Sequence, residues 1–173
     1  GQIARREGVG EILADGVRAA AARLGPEAEA FAVHVKGMEM PYHDPRAFVS
    51  MAPSYATAVR GACHLEGLSY WAGYGVRWPG WYEPDTYNPH DSTGQGKVAV
   101  DFQNYVGVYN PLGLCKFIIK STITPGNIAE LVNAALGWDW TAADVVDTGE
   151  RLFNLKRLID LRLGVTAADD TLP

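Results

Sequence analysis

Residues 123–164 read ITPGNIAELVNAALGWDWTAADVVDTGERLFNLKRLIDLRLG, and their spacing decides the fold class. Thr124-Pro125 has the form of a helix start. The threonine hydroxyl can accept from free N–H groups of the first turn, and proline fits the position after the cap. Gly137 offers the stop. Ile123 and Ile128 are placed to close as a hydrophobic staple across that start. Thr141-x-x-Asp144 repeats the device, with Trp140 and Val145 as the staple. The helix it opens is expected to run to about Leu163, with Gly164 as its end. Val145, Gly149, Leu152, Lys156, Ile159 and Leu163 fall on one face, widened by Phe153 and Leu158. Two capped amphipathic helices in succession argue for a mainly α protein.

Working outward, the same periodicity predicts a first helix over Val9–Leu24, with Ile12, Leu13, Gly16, Val17, Ala20 and Leu24 on one face and Gly25-Pro26 as its end. Phe31, Val33 and Val35 alternate with Ala32, His34 and Lys36, which is strand periodicity in a lone extended segment. Asp44-Pro45 predicts a helix start, with Pro53 forcing a kink or restart near Ser54 before an end near Leu65. Residues 67–96 are dense in Gly, Pro, Trp and Tyr and predict a long loop with aromatic anchors. A buried helix is expected over Lys97–Val108, followed by a break and a short helix. No βαβ alternation and no internal repeat occurs. The fold class expected is an irregular helical domain with one or two short extended segments.

The chain has 173 residues, 47% of them hydrophobic, enough for a sizeable core. Its net charge is −5 and no Lys/Arg stripe appears, which argues against nucleic acid and anionic membrane surfaces as partners. Apolar runs are broken well before membrane-spanning length. No charged segment leads into an apolar run at the start, so no signal peptide is expected, and GQIARREGVG reads like the middle of a chain. Two cysteines cannot build a disulfide framework. A reducing, cytoplasmic setting with two buried thiols is the expectation.

The chemistry-bearing residues are few. His34, His43, His64 and His90 have no i, i+4 metal spacing, and no HExxH occurs. His64 stands out, beside Cys63 and two residues before Glu66, because a histidine near a carboxylate can do acid/base work. Glu39, between Met38 and Met40, is expected to be partly buried and to need Arg46 or Lys36 as partner. The stretch YNPLGLCKF, residues 109–117, places a proline, a glycine and a thiol together in an apolar run. By itself Cys115 reads as a buried thiol at a helix break or as a ligand to a metal or cluster. Asn110, with backbone groups freed by Pro111 and Gly113, predicts a polar patch inside an apolar region. A polar ring ligand would satisfy it.

NPLGLCKF resembles the D-x-x-G-L-C motif of the tungsten-containing aldehyde ferredoxin oxidoreductases. REGVGEILADGVRAAAARLG, FAVHVKGMEMPYHDPR, YATAVRGACHL and ERLFNLKRLIDLRLGVTAADDTLP fall in that family's order. The resemblance covers essentially the whole chain except the aromatic loop. It implies a tungsten (or molybdenum) bis-pterin cofactor bridged by magnesium, a [4Fe–4S] cluster, and oxidation of aldehydes to carboxylic acids with electrons passed to ferredoxin. It also implies that residues 1–29 close a second helical domain and residues 30–173 form most of a third, with further domains upstream. Cys115 matches the last of four cluster ligands. Gly113 and Leu114 match the motif and would present backbone groups to a pterin. Asn110 stands where the family usually has Asp, so an amide replaces an acceptor-only carboxylate. His64 falls near a family histidine close to the metal and assigned to proton transfer. Trp71, Trp78 and Trp81 would suit an apolar substrate channel, or would simply staple the loop.

The resemblance leaves the aldehyde, the choice of metal and a homo-oligomeric state open. The chain alone is expected to be inactive and to hold no stable cluster. Two other readings stand beside the enzyme. One is a cofactor-free helical interaction or scaffold domain; the other is a related tungsten enzyme that catalyses a reduction.

Overall fold

The computed structural model describes residues 1–173. Eight α-helices and one small hairpin run along the chain: α1 Gln2–Arg5, α2 Val9–Leu13, α3 Gly16–Leu24, α4 Pro26–Glu29, β1 His34–Val35, β2 Met38–Glu39, α5 Met51–Thr57, α6 Gln95–Gly107, α7 Pro125–Leu136 and α8 Ala142–Arg162. Short 3-10 turns at His64–Glu66, Ser69–Ala72, Lys116–Lys120 and Ala167–Asp169 fill the connections. The mainly α class holds, and no helix is long and apolar enough to cross a membrane.

Helix α6 is the axis. Phe102, Tyr105, Val106 and Tyr109 are fully buried along it and just beyond. Helix α8 crosses α6 at Gly149, where an added Cβ would lie 1.7 Å from the Asn104 carbonyl oxygen. Only a glycine lets the two backbones approach so closely. Helix α7 packs on α8 and closes the core with Ile128, Ala129 and Val132.

Both capped starts form as their sequences dictate. Thr124 accepts from the Asn127 N–H, and Asn127 accepts in return from the Thr124 N–H. Thr141 and Asp144 make the same reciprocal pair. A third capping box, Thr166 with Asp169, opens the last 3-10 turn.

Elsewhere tertiary contacts override the local pattern. The helix expected over Val9–Leu24 is two helices, broken at Ala14-Asp15 with Gly16 at φ +84°. Asp15 at that break binds Arg6 and Arg23, which an unbroken helix would not allow. The lone extended segment finds a partner: His34–Val35 pairs antiparallel with Met38–Glu39 around Lys36 and Gly37, both at positive φ. Phe31 and Val33, expected to share its apolar face, are exposed. Asp44 caps only a turn, accepting from the Arg46 N–H; the helix begins later, at Met51. Pro53 therefore falls in the first turn of α5, where a missing N–H costs nothing, and no kink arises. Helix α5 stops at Thr57, well short of Leu65. The far half of α8 turns Ile159 and Leu163 outward.

Glu39 is also corrected. It is exposed and accepts a 2.9 Å hydrogen bond from the Val17 N–H, which keeps its carboxyl below the usual range. Arg46 pairs with Asp44 instead. Lys36 turns inward to the carbonyls of Ala56 and Ala58 and to Asp170, which binds Arg157 as well.

Candidate functional site

The 109–117 stretch begins where α6 ends. Leu112 N–H donates to the Val108 carbonyl, Gly113 N–H to Asn110, and Leu114 N–H to Tyr109 at 2.8 Å. Gly113 sits at φ +68°, so the chain turns there without steric penalty. Leu114 tucks against the core and Tyr109 is fully buried beneath the turn. The turn is thus anchored from inside and satisfies these backbone groups itself.

That corrects two expectations. Asn110 and Gly113 lie on the surface, so the polar patch is not enclosed in an apolar region. Cys115 is exposed; only Cys63 is buried. The apolar character of the stretch belongs to its outer face, where Leu112 is 42% and Phe117 60% exposed. The Cys115 N–H donates to nothing within the chain, and the 3-10 turn it opens leaves further free N–H groups. An exposed thiol thus stands beside unused backbone donors.

Lys116 ties this turn to α6. Its Nζ donates to the Val106 carbonyl at 2.9 Å, and burial pulls its pKa down to about 8. Glu66, Lys156, Cys63 and Arg60 all act on its charge. The Cys115 turn and the His64–Glu66 turn therefore share one side of the molecule. There Arg60 donates to the Cys63 sulfur at 2.6 Å and Lys156 meets Glu66 at 3.4 Å. Glu66 is spent on Lys156 and Arg60 and makes no pair with His64.

His64 instead stacks on His43, with ring centroids 4.9 Å apart and planes 13° from parallel. Tyr70 lies 3.8 Å from the His43 ring. Burial lowers the pKa of both histidines; for His64 the charges of His43 and Arg60 add to it. His43, Arg60 and Lys116 were not singled out from the sequence. Lys116 had a signal in its place beside Cys115. His43 had none, because its contact with His64 exists only in three dimensions.

The aromatic loop divides. Trp78 is fully buried against Phe102 and Tyr105, at 4.6 and 4.9 Å between rings, and Tyr82 packs with it. These residues staple the loop to α6. Tyr87 and Gln95 fasten its far end with a 3.1 Å hydrogen bond. The hollow beside this loop, about 630 Å³, is lined by Trp81, Glu83, Asp91 and Asp101; of the residues singled out from the sequence it touches Trp81 and neither His64 nor the 110–115 turn. No group of three or more His, Cys, Asp or Glu side chains gathers to hold a metal ion.

The chain is thus a helical domain with an exposed thiol on an anchored turn and a stacked histidine pair. The family model for aldehyde ferredoxin oxidoreductase, domains 2 and 3, matches residues 1–173, and the chain belongs to that family. It is similar to the tungsten-containing aldehyde ferredoxin oxidoreductases of Pyrococcus furiosus, at 37% identity, and of Pyrococcus abyssi, at 35%. That of Thermococcus kodakarensis is 34% identical. Each alignment covers 99% of this chain and 27% of the relative, so the chain spans about a quarter of the length of these proteins.

Proposed function

We propose that this chain is the C-terminal helical part of an oxidoreductase that converts an aldehyde and water to a carboxylic acid, releasing two electrons and two protons. The observation that carries this reading is Cys115: an exposed thiol on a turn anchored from within, in a chain matching the family throughout. A [4Fe–4S] cluster takes four thiolates, and one is available here. The unused N–H groups beside Cys115 suit cluster sulfurs as acceptors. Asn110, Gly113 and Leu114 precede it on an exposed turn that suits the edge of a pterin, with the Asn110 amide free to accept and donate. A tungsten or molybdenum bis-pterin with magnesium would supply the two-electron chemistry there, and a [4Fe–4S] cluster held in part by Cys115 would supply the electron path towards ferredoxin.

Within that arrangement the chain's own residues have separate tasks. His64 is held neutral near physiological pH and has ring nitrogens free of hydrogen bonds within the chain, so it can accept a proton as water adds to the substrate carbonyl. Lys116 fixes the backbone next to Cys115 through Val106. Trp71, half-buried beside Tyr70, and Trp81 are the tryptophans left to face a substrate channel.

The surface fits a part of something larger. Its accessible area is 9945 Å², against roughly 8,300 Å² for a free-standing protein of this mass. Leu155, Leu158, Ile159 and Leu163 of and after α8 are all about half exposed or more. We place the boundary between the second and third domains near residue 29, with the remaining domains of the enzyme covering these faces. The setting proposed is cytoplasmic.

Metal analysis of the full-length protein, with an aldehyde-dependent dye-reduction assay, tests the reading. Tungsten or molybdenum, iron and aldehyde-driven reduction are expected together. A full-length protein free of these metals and inert to aldehydes would leave a helical scaffold as the better account. A metal-loaded protein that reduces a substrate but oxidises no aldehyde would favour the reductive relative.

A further inference from the structure

Two histidines that are unrelated in sequence form one unit in the fold. His43 lies on the segment before α5, its carbonyl fixed by a 3.0 Å hydrogen bond from the Tyr55 hydroxyl. His64 opens the 3-10 turn that follows α5. Their rings are near-parallel at 4.9 Å, and Tyr70 closes on His43 from another side, 6.2 Å from His64. Stacked rings point their N–H bonds outward in their own planes. The pair therefore cannot pass a proton directly between rings; what His43 gives His64 is a fixed orientation.

We propose that His43 is a positioning residue for His64, holding its imidazole by stacking and restricting the pair to one proton. This rests on the reading of His64 as the group that handles the substrate proton. The His43 Nδ1 is buried with no hydrogen-bond partner. A proton there would leave a buried N–H⁺ uncompensated, so the neutral ring protonated on Nε2 is favoured. Two imidazolium rings in face-to-face contact would also repel. The other ionisable groups around the pair are Arg60 on the loop after α5, Tyr55 of α5, Tyr70 of the next turn, Cys63 beside His64, and Asp44 beside His43. Glu66 is occupied by Lys156 and Arg60. Arg60 acts in the same sense as His43, discouraging a proton on His64.

The test uses the full-length enzyme and the pH profile of kcat/KM for aldehyde-dependent dye reduction. His64→Asn should lose activity at least about tenfold at every pH. His43→Gln and His43→Phe should keep the metal content; His43→Gln, which uncovers the His64 ring to water, should move the acid limb to higher pH by about half a unit or more, and His43→Phe, which keeps the ring covered, should move it less. His43→Phe, which keeps a ring against His64, should retain more kcat than His43→Gln. If His43→Gln does not fold, His43→Ala takes its place against His43→Phe in the same measurement. Profiles of the folded His43 variants that superimpose on the wild type, with His64→Asn inactive, would overturn the positioning role and leave His64 in place. Full activity in His64→Asn would overturn both.

Discussion

Lys116 reaches back to the Val106 carbonyl at 2.9 Å, and this bond locks the residue after Cys115 to the last turn of α6. A thiol held that way is exposed yet not loose. Lys116→Met keeps most of the side-chain length and removes the donor. It should cost about 1.5–3 kcal/mol, the range for a hydrogen bond from a charged group. Urea unfolding of the full-length protein measures it, and backbone exchange should speed up first at residues 114–117.

Gly149 and Asn104 set the distance between α8 and α6. An added Cβ would overlap the Asn104 carbonyl oxygen, so Gly149→Ala must push the helices apart. Overpacking of this kind costs about 1–3 kcal/mol. Gly107→Ala is the control on the same interface: its Cβ would meet nothing nearer than 3.8 Å. A melting curve should separate the two clearly, with helix propensity favouring the second change.

The C-terminal segment is tied down by charge. Asp170 accepts from Lys36 at 2.7 Å and from Arg157 at 2.6 Å. The Lys36 side chain is only 9% exposed, so removing its counter-charge leaves a nearly buried ammonium. Asp170→Ala should destabilise by about 1.5–3 kcal/mol, softened by the two carbonyls that still hold Lys36. Limited proteolysis should then cut near residue 165 at a protease dose that spares the wild type.

The histidine pair makes the fold sensitive to mild acid. Burial holds both rings below the ordinary histidine value of 6.5. As pH falls through 6.5 the unfolded chain takes up protons that the folded chain refuses, so stability drops, then levels once the folded rings protonate. Melting temperatures across pH 7.5 to 5 should show this loss, and a His43→Phe, His64→Phe double variant should show less of it.

What the sequence revealed follows from how far each signal reaches. The caps at Thr124 and Thr141 were legible because a capping box is complete within four residues. The break at Asp15 was not, because its cause is Arg6 and Arg23 on neighbouring helices. The 109–117 run looked buried because apolar residues usually are; Leu112 and Phe117 face outward on a chain that spans only about a quarter of its relatives' length. The D-x-x-G-L-C-like pattern singled out Cys115 without regard to burial, and the structure finds that thiol exposed. His43 left no trace, since nothing local links it to His64.

The central claim is that Cys115 is a cluster ligand, and electron paramagnetic resonance of the reduced full-length protein tests it most directly. Cys115→Ala should abolish or convert the [4Fe–4S] signal and lower the iron content, while the fold holds because the thiol is exposed and makes no hydrogen bond within the chain. An unchanged cluster spectrum with full iron content in that variant would contradict the assignment.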